Sequence, residues 1–79
     1  MKILEINKYI VADSSVCSGK PTFKGTRIMV WQVLEMLESG STHKEILSSF
    51  PSLTSEHIKG ALSYAANIMR GKNYVIVTA

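Results

Sequence analysis

Cysteine occurs once in this 79-residue sequence, aspartate once and proline twice. A lone Cys17 cannot close an intrachain disulfide, and an unpaired thiol suits a reducing compartment, so a cytoplasmic protein is expected. With Asp13 as the sole aspartate, the convergent carboxylates that a metal nuclease needs are not in prospect. No apolar run approaches the ~20 residues of a membrane span, so no membrane role is expected. The amino end, Met1-Lys2-Ile3-Leu4-Glu5-Ile6, interrupts its apolar character at Glu5 and lacks a small-residue cleavage site; a signal peptide is not expected there. Repeats and low-complexity segments are missing as well.

What is present is ordinary globular material. Apolar residues make up 46% of the chain, which argues against disorder. A chain this short buries only about 60–65% of its unfolded surface, and residues 1–79 are read as a single domain. The net charge is +3, from nine Lys/Arg against six Asp/Glu. It is distributed unevenly. Residues 1–27 carry Lys2, Lys8, Lys20, Lys24 and Arg27 against Glu5 and Asp13. Residues 28–58 carry Lys44 against Glu35, Glu38, Glu45 and Glu56. Residues 59–79 carry Lys59, Arg70 and Lys72 unopposed. A basic–acidic–basic chain is compatible with phosphate binding, although the overall balance is only mildly basic.

The chain changes character near residue 29. Residues 1–28 hold short apolar runs (Ile3/Leu4/Ile6, Tyr9-Ile10-Val11, Phe23) separated by turn-forming stretches such as Ser18-Gly19-Lys20-Pro21 and Lys24-Gly25-Thr26. This pattern predicts strands and loops, with Tyr9–Ala12 and Thr22–Lys24 as arms of a hairpin. Residues 29–71 read as three helices. Val30, Val33, Leu34 and Leu37 recur at helical spacing, and Gly40 stands where a C-terminal cap belongs. Trp31 and Met36 add apolar surface off that stripe, so this helix needs cover on two sides.

Thr42 followed by Glu45 is a capping box opening a second helix, which buries Ile46, Leu47 and Phe50 and stops at Pro51. Thr54 caps a third helix, with Leu53 and Ile58 spaced for a hydrophobic staple. Its predicted apolar stripe is Ile58, Ala61, Leu62, Ala65 and Ile68/Met69. Its predicted outward face is Glu56, Lys59, Gly60, Ser63, Asn67 and Arg70, and Gly71 is the expected stop. Residues 72–79 follow, with Tyr74-Val75-Ile76-Val77 at their centre. They predict a strand that either pairs with Ile3–Ile6 or offers an edge to a partner.

Helices over 42–50 and 55–69 joined at Pro51–Thr54 have the lengths and spacing of a helix-turn-helix. In that arrangement the later helix reads DNA, with Ser55, Glu56, Lys59 and Ser63 on its first outward turns. A plain three-helix bundle with a solvated polar face satisfies the same pattern. Lys59 is the only cation among those first outward residues, and Glu56 repels phosphate.

Catalytic apparatus is not visible. Ser18-Gly19-Lys20-Pro21-Thr22 has Ser14 where a phosphate-binding loop needs its first glycine, and Pro21 where it needs a hydroxyl. Cys17, His43 and His57 lack metal-ligand spacing, so no metal or other cofactor is expected. Cys17 reads as a small buried hydrophobe rather than a nucleophile, and the two histidines as polar surface or core-edge residues.

The stretch Ile10-Val11-Ala12-Asp13-Ser14-Ser15-Val16-Cys17-Ser18-Gly19-Lys20-Pro21-Thr22-Phe23-Lys24-Gly25-Thr26-Arg27-Ile28 resembles the signature of a bacterial and archaeal family, DUF433. Val30-Trp31, Gly40, Pro51-Ser52-Leu53-Thr54 and Ala61-Leu62-Ser63-Tyr64-Ala65-Ala66 extend the likeness, which covers residues 10–66. Two positions depart from the family pattern, which has Asp-Pro at Asp13-Ser14 and Cys-Gly-Gly or similar at Cys17-Ser18-Gly19. The resemblance implies a homeodomain-like or winged helix-turn-helix fold with a small N-terminal β element. It also implies a type II antitoxin of the VapB-like, helix-turn-helix kind, paired with a PIN-like ribonuclease toxin and binding operator DNA as a dimer. Within the motif, Gly25 is expected to supply an unusual backbone angle, Thr26 to bridge the turn, and Arg27 to tie the hairpin to the helices or reach a phosphate.

The expectation is therefore an α+β, mainly α fold: a homeodomain-like three-helix bundle with a helix-turn-helix, a small N-terminal β-hairpin and a C-terminal strand. The function expected is a non-enzymatic antitoxin that also binds double-stranded operator DNA. Ser55, Lys59 and Ser63 would approach base edges, while Lys20, Lys24 and Arg27 would serve phosphates. Tyr74, Val75, Ile76 and Val77 would meet the toxin, and Trp31 and Met36 a homodimer partner or the same toxin. The rival is a pure protein-interaction module that never touches DNA. A small hydrolase comes third.

Overall fold

The computed structural model describes residues 2–72, the last two by backbone alone. It is an α+β fold: three short strands, β1 (Ile3–Glu5), β2 (Ile10–Asp13) and β3 (Pro21–Phe23), followed by three helices, α1 (Val30–Glu38), α2 (His43–Ser49) and α3 (Ser55–Asn67). The strands form one antiparallel sheet in the order β1-β2-β3. No helix among the described residues is long and apolar enough to cross a membrane.

The expected hairpin is present, shifted by about one residue: β2 pairs with β3 so that Ile10 faces Phe23 and Val11 faces Thr22. Within the Ile3–Ile6 run, β1 pairs with β2, setting Ile3 against Asp13 and Glu5 against Val11. The turn between these strands is local. Ile6 and Asn7 donate their N–H groups to the Ile10 carbonyl, and the Tyr9 N–H donates to Asn7 Oδ1 at 2.8 Å, a side-chain turn that asparagine favours. A C-terminal strand at Tyr74–Val77 lies outside the described residues.

Between β2 and β3 the backbone makes a short 3-10 turn, Cys17–Gly19, in which Cys17 (φ 50°) and Ser18 (φ 58°) both adopt the left-handed region. That conformation costs an L-residue roughly 1 kcal/mol and glycine almost nothing. Cys17 is half-buried rather than buried, and its thiol lies 3.6 Å from the Arg27 carbonyl. Gly25 (φ 75°) makes the next turn, and Thr26 bridges it as expected: its hydroxyl donates to the Phe23 carbonyl at 2.8 Å and accepts from the Ile28 N–H at 3.0 Å.

The helices begin and end where their capping chemistry dictates. Gly40 (φ 88°) closes α1, its N–H donating to the Leu37 carbonyl while Ser41 N–H donates to that of Met36. This is the paired bond of a Schellman motif. At α2 the Thr42 hydroxyl accepts from Glu45 N–H at 3.1 Å and the Glu45 carboxylate accepts from Thr42 N–H at 2.7 Å. Thr42→Ala is expected to destabilise the domain by about 1 kcal/mol, because it strands one of those donors at an exposed helix end. Thermal unfolding followed by circular dichroism checks this: an unchanged midpoint would show that the box contributes nothing. Past Asn67 the helical backbone widens into a π-helical turn, Ile68–Lys72, so Gly71 is not the stop.

The core lies between one sheet face and the helices: Ile10 and Phe23 from the sheet, Val30 and Val33 from α1, Ile46 from α2, Leu53, and Ile58 and Ala61 from α3. Leu53 and Ile58, spaced for a staple, are both in it. Leu62 and Met69, expected in the apolar stripe of α3, are instead 45% and 71% exposed.

Candidate functional site

Along α3, Ile58 and Ala61 point into the core with half-buried Tyr64 packed against it, and Ala65 is half-buried. Ser55, Glu56, Lys59, Ser63, Asn67 and Arg70 are exposed. The three residues expected to approach DNA from this helix are therefore exposed among the described residues. Gly60 does not. Placed on the outward face in the sequence reading, it is buried beneath the Tyr9 ring of the β1–β2 turn. Asn7 Nδ2 donates to the Gly60 carbonyl at 3.2 Å, so the turn is fastened to the middle of the helix by packing and by one hydrogen bond.

The fastening creates a shallow groove of about 300 Å³ along one side of α3, lined by Asn7, Lys8, Tyr9, Glu56, Lys59, Gly60 and Ser63. Two residues expected to approach base edges, Lys59 and Ser63, are in it, with Glu56 and Gly60 of the same predicted face; Asn7, Lys8 and Tyr9 carry no expected site role. Lys8 Nζ lies 5.5 Å from the centroid of the Tyr9 ring, a cation–π distance. Lys59 Nζ lies 3.8 Å from a Glu56 carboxylate oxygen one turn earlier.

The expected phosphate set does not gather here. Lys24 comes nearest, its N–H donating to the Tyr9 carbonyl at 2.9 Å, but its ammonium is paired with the Glu5 carboxylate. Arg27 is exposed and lines a separate groove with Val11, Asp13, Val16, Thr22, Gly25 and Thr26. Lys20 is exposed and lines neither. In the second groove the Asp13 carboxylate accepts from the Ser15 N–H (2.9 Å) and hydroxyl (2.7 Å). Those two bonds hold its pKa below the ordinary value.

His57 is structural. Its ring sits 5.0 Å from that of Tyr9 and 5.7 Å from that of Phe23, and its Nδ1 accepts from the Thr54 N–H at 3.0 Å. It thus stands in for the usual Glu or Gln of a capping box while joining the turn to the sheet. His43 is exposed at the start of α2, on a different element from Cys17 and His57.

Of the expected partner surface, Trp31 is 47% exposed, its indole N–H directed at the Met29 sulfur, whereas Met36 is half-buried against the core. Tyr74, Val75, Ile76 and Val77 lie outside the described residues. Exposed apolar area appears where the sequence reading did not put it. Leu62 lies on α3 and Met69 in the π-helical turn after it, and Ile3 and Leu4 lie on β1, at the edge of the sheet among the described residues.

Residues 10–65 match the model of a family described as protein of unknown function, DUF433. The uncharacterized protein y4eO of Sinorhizobium fredii is 33% identical over 67 residues, which are 84% of this chain and 30% of that relative's length. No solved structure matches the chain.

Proposed function

From the premise that this chain belongs to the DUF433 family, we propose that it is a non-enzymatic, cytoplasmic type II antitoxin. It neutralises a PIN-like ribonuclease toxin and, as a homodimer, binds its own operator through a homeodomain-like helix-turn-helix formed by α2 and α3. The observation that carries the DNA-binding half is the exposure of Ser55, Lys59 and Ser63 on one side of α3, just after the short Phe50–Thr54 connection. Such a helix is the right size and polarity for a major groove. Lys20 and Arg27 are left to reach phosphates from the sheet side. The toxin is met by Tyr74–Val77 together with Trp31.

The test is titration of the full chain against a duplex spanning the DNA upstream of its own reading frame. Real phosphate contacts make log affinity fall linearly with log salt, by about 0.9 per contact. Preference for that duplex over an unrelated one, with such a slope, is the expected result. A flat salt response or absence of binding leaves the second reading, a protein-interaction module without DNA contact. That reading is favoured by the exposed Leu62, Met69, Ile3 and Leu4.

A further inference from the structure

We infer that the β1–β2 turn is a second nucleic-acid contact element, and that Lys8 rather than Lys59 is the principal phosphate ligand of the groove beside α3. The inference rests on the DNA-binding reading and sharpens it. Three lysines surround Tyr9, and they are not electrostatically equivalent. Lys24 is paired with Glu5, and Lys59 has the Glu56 carboxylate at 3.8 Å. Lys8 has no carboxylate partner among the described residues, and its neighbour is the face of the Tyr9 ring, which leaves its charge uncompensated. The groove, with Lys8 and Lys59 against Glu56, carries a net charge of +1, and Lys8 supplies it.

Position matters as much as charge. A lysine on an unanchored turn loses much of its binding energy to ordering, whereas the backbone that carries this one is fixed before any ligand arrives. Asn7 is bonded to the Gly60 carbonyl, Tyr9 is seated on Gly60 and beside His57, and Lys8 lies between them. A phosphate of a strand running along the exposed side of α3 would meet Lys8 at the rim of the groove while Ser63 and Lys59 face the same space. Backbone contacts of this kind set register without reading sequence.

The experiment compares full-length Lys8→Gln, Lys59→Gln and Glu56→Gln with the unchanged chain, on the upstream duplex and on an unrelated one, across a salt series. Lys8→Gln is expected to weaken binding several-fold on both duplexes alike and to reduce the salt slope by about 0.9, with Lys8→Arg restoring it. Lys59→Gln is expected to cost less in slope, and Glu56→Gln to tighten binding by freeing Lys59. Unchanged melting of Lys8→Gln separates a lost contact from a lost fold. Salt-dependent binding by the unchanged chain that Lys8→Gln leaves intact would overturn the inference while sparing the DNA-binding reading. No binding by the unchanged chain would overturn both.

Discussion

Replacing Phe23 with alanine is expected to cost the domain about 3–5 kcal/mol of stability, the largest loss available from a single side chain here. A domain of this length has only about 4–12 kcal/mol in total, so the loss is a large share of its stability. Phe23 is the largest fully buried side chain among the described residues. It stands opposite Ile10 in the sheet and presents an edge to the His57 ring at 73°. Its backbone holds the turn into α1, since its N–H donates to the Ile28 carbonyl and its carbonyl accepts from the Thr26 N–H. Those backbone bonds survive truncation, so the loss measures the ring alone. Phe23→Leu, which conserves much of the volume, should lose less than about 1.5 kcal/mol. Urea denaturation of both variants checks this. Equal losses would mean that the pocket is insensitive to shape and that the sheet–helix junction is not where the domain is held together.

Phe23 also marks the boundary of what was legible in the sequence. Features governed by residues close together in the chain could be read directly. Thr42 with Glu45, Gly40 after α1, and Thr26 bridging its own turn each involve partners within three or four residues, where spacing fixes geometry. The β2–β3 hairpin was legible too, because its arms are apolar and the punctuation between them is turn-forming. Illegible features came from contacts between residues far apart. Nothing local tells which strand Ile3–Glu5 pairs with. Period alone put Leu62 and Met69 in the core, yet the β1–β2 turn packs on another side of α3, with Tyr9 against His57 and Gly60. His57 was read as a polar or edge residue because a histidine is an unusual third member of a capping box; it takes that place because Tyr9 and Phe23 also hold its ring.

The candidate site divides in the same way. Lys59 and Ser63 follow from helical phase, and both are exposed. Lys8 does not follow, since a lysine in a turn is ordinarily solvated surface. Its significance comes from Asn7 and Tyr9 reaching a glycine 51 and more positions away. One sequence signal did point there. A glycine inside a helix costs about 1 kcal/mol relative to alanine, so a glycine at position 60 asks for a reason such as a close approach. The Tyr9 ring supplies that reason.

Gly60→Val follows from this contact and is expected to destabilise the domain by about 1–3 kcal/mol, the cost of overpacking a filled space. A Cβ at position 60 would stand 3.1 Å from Tyr9 Cδ2 and 3.3 Å from Tyr9 Cβ, and valine adds two methyl groups beyond it. The ring is hemmed in by His57, 5.0 Å from it, and the backbone behind it is held by the Lys24 N–H on the Tyr9 carbonyl. The turn must therefore move as a unit, loosening the Asn7 bond to the Gly60 carbonyl. Alanine is the informative contrast. It gains up to about 1 kcal/mol in helix propensity and needs the ring to shift by only a few tenths of an ångström, so Gly60→Ala should lie near neutrality. A double-mutant cycle isolates the contact: in a Tyr9→Ala background the obstruction is gone, and the valine should cost little or become favourable. Couplings between touching residues usually amount to about 0.5–3 kcal/mol. Strictly additive costs for Tyr9→Ala and Gly60→Val would mean that the turn does not rest on α3. Lys8 would then have no fixed position beside the helix, and the groove would have no claim to a phosphate.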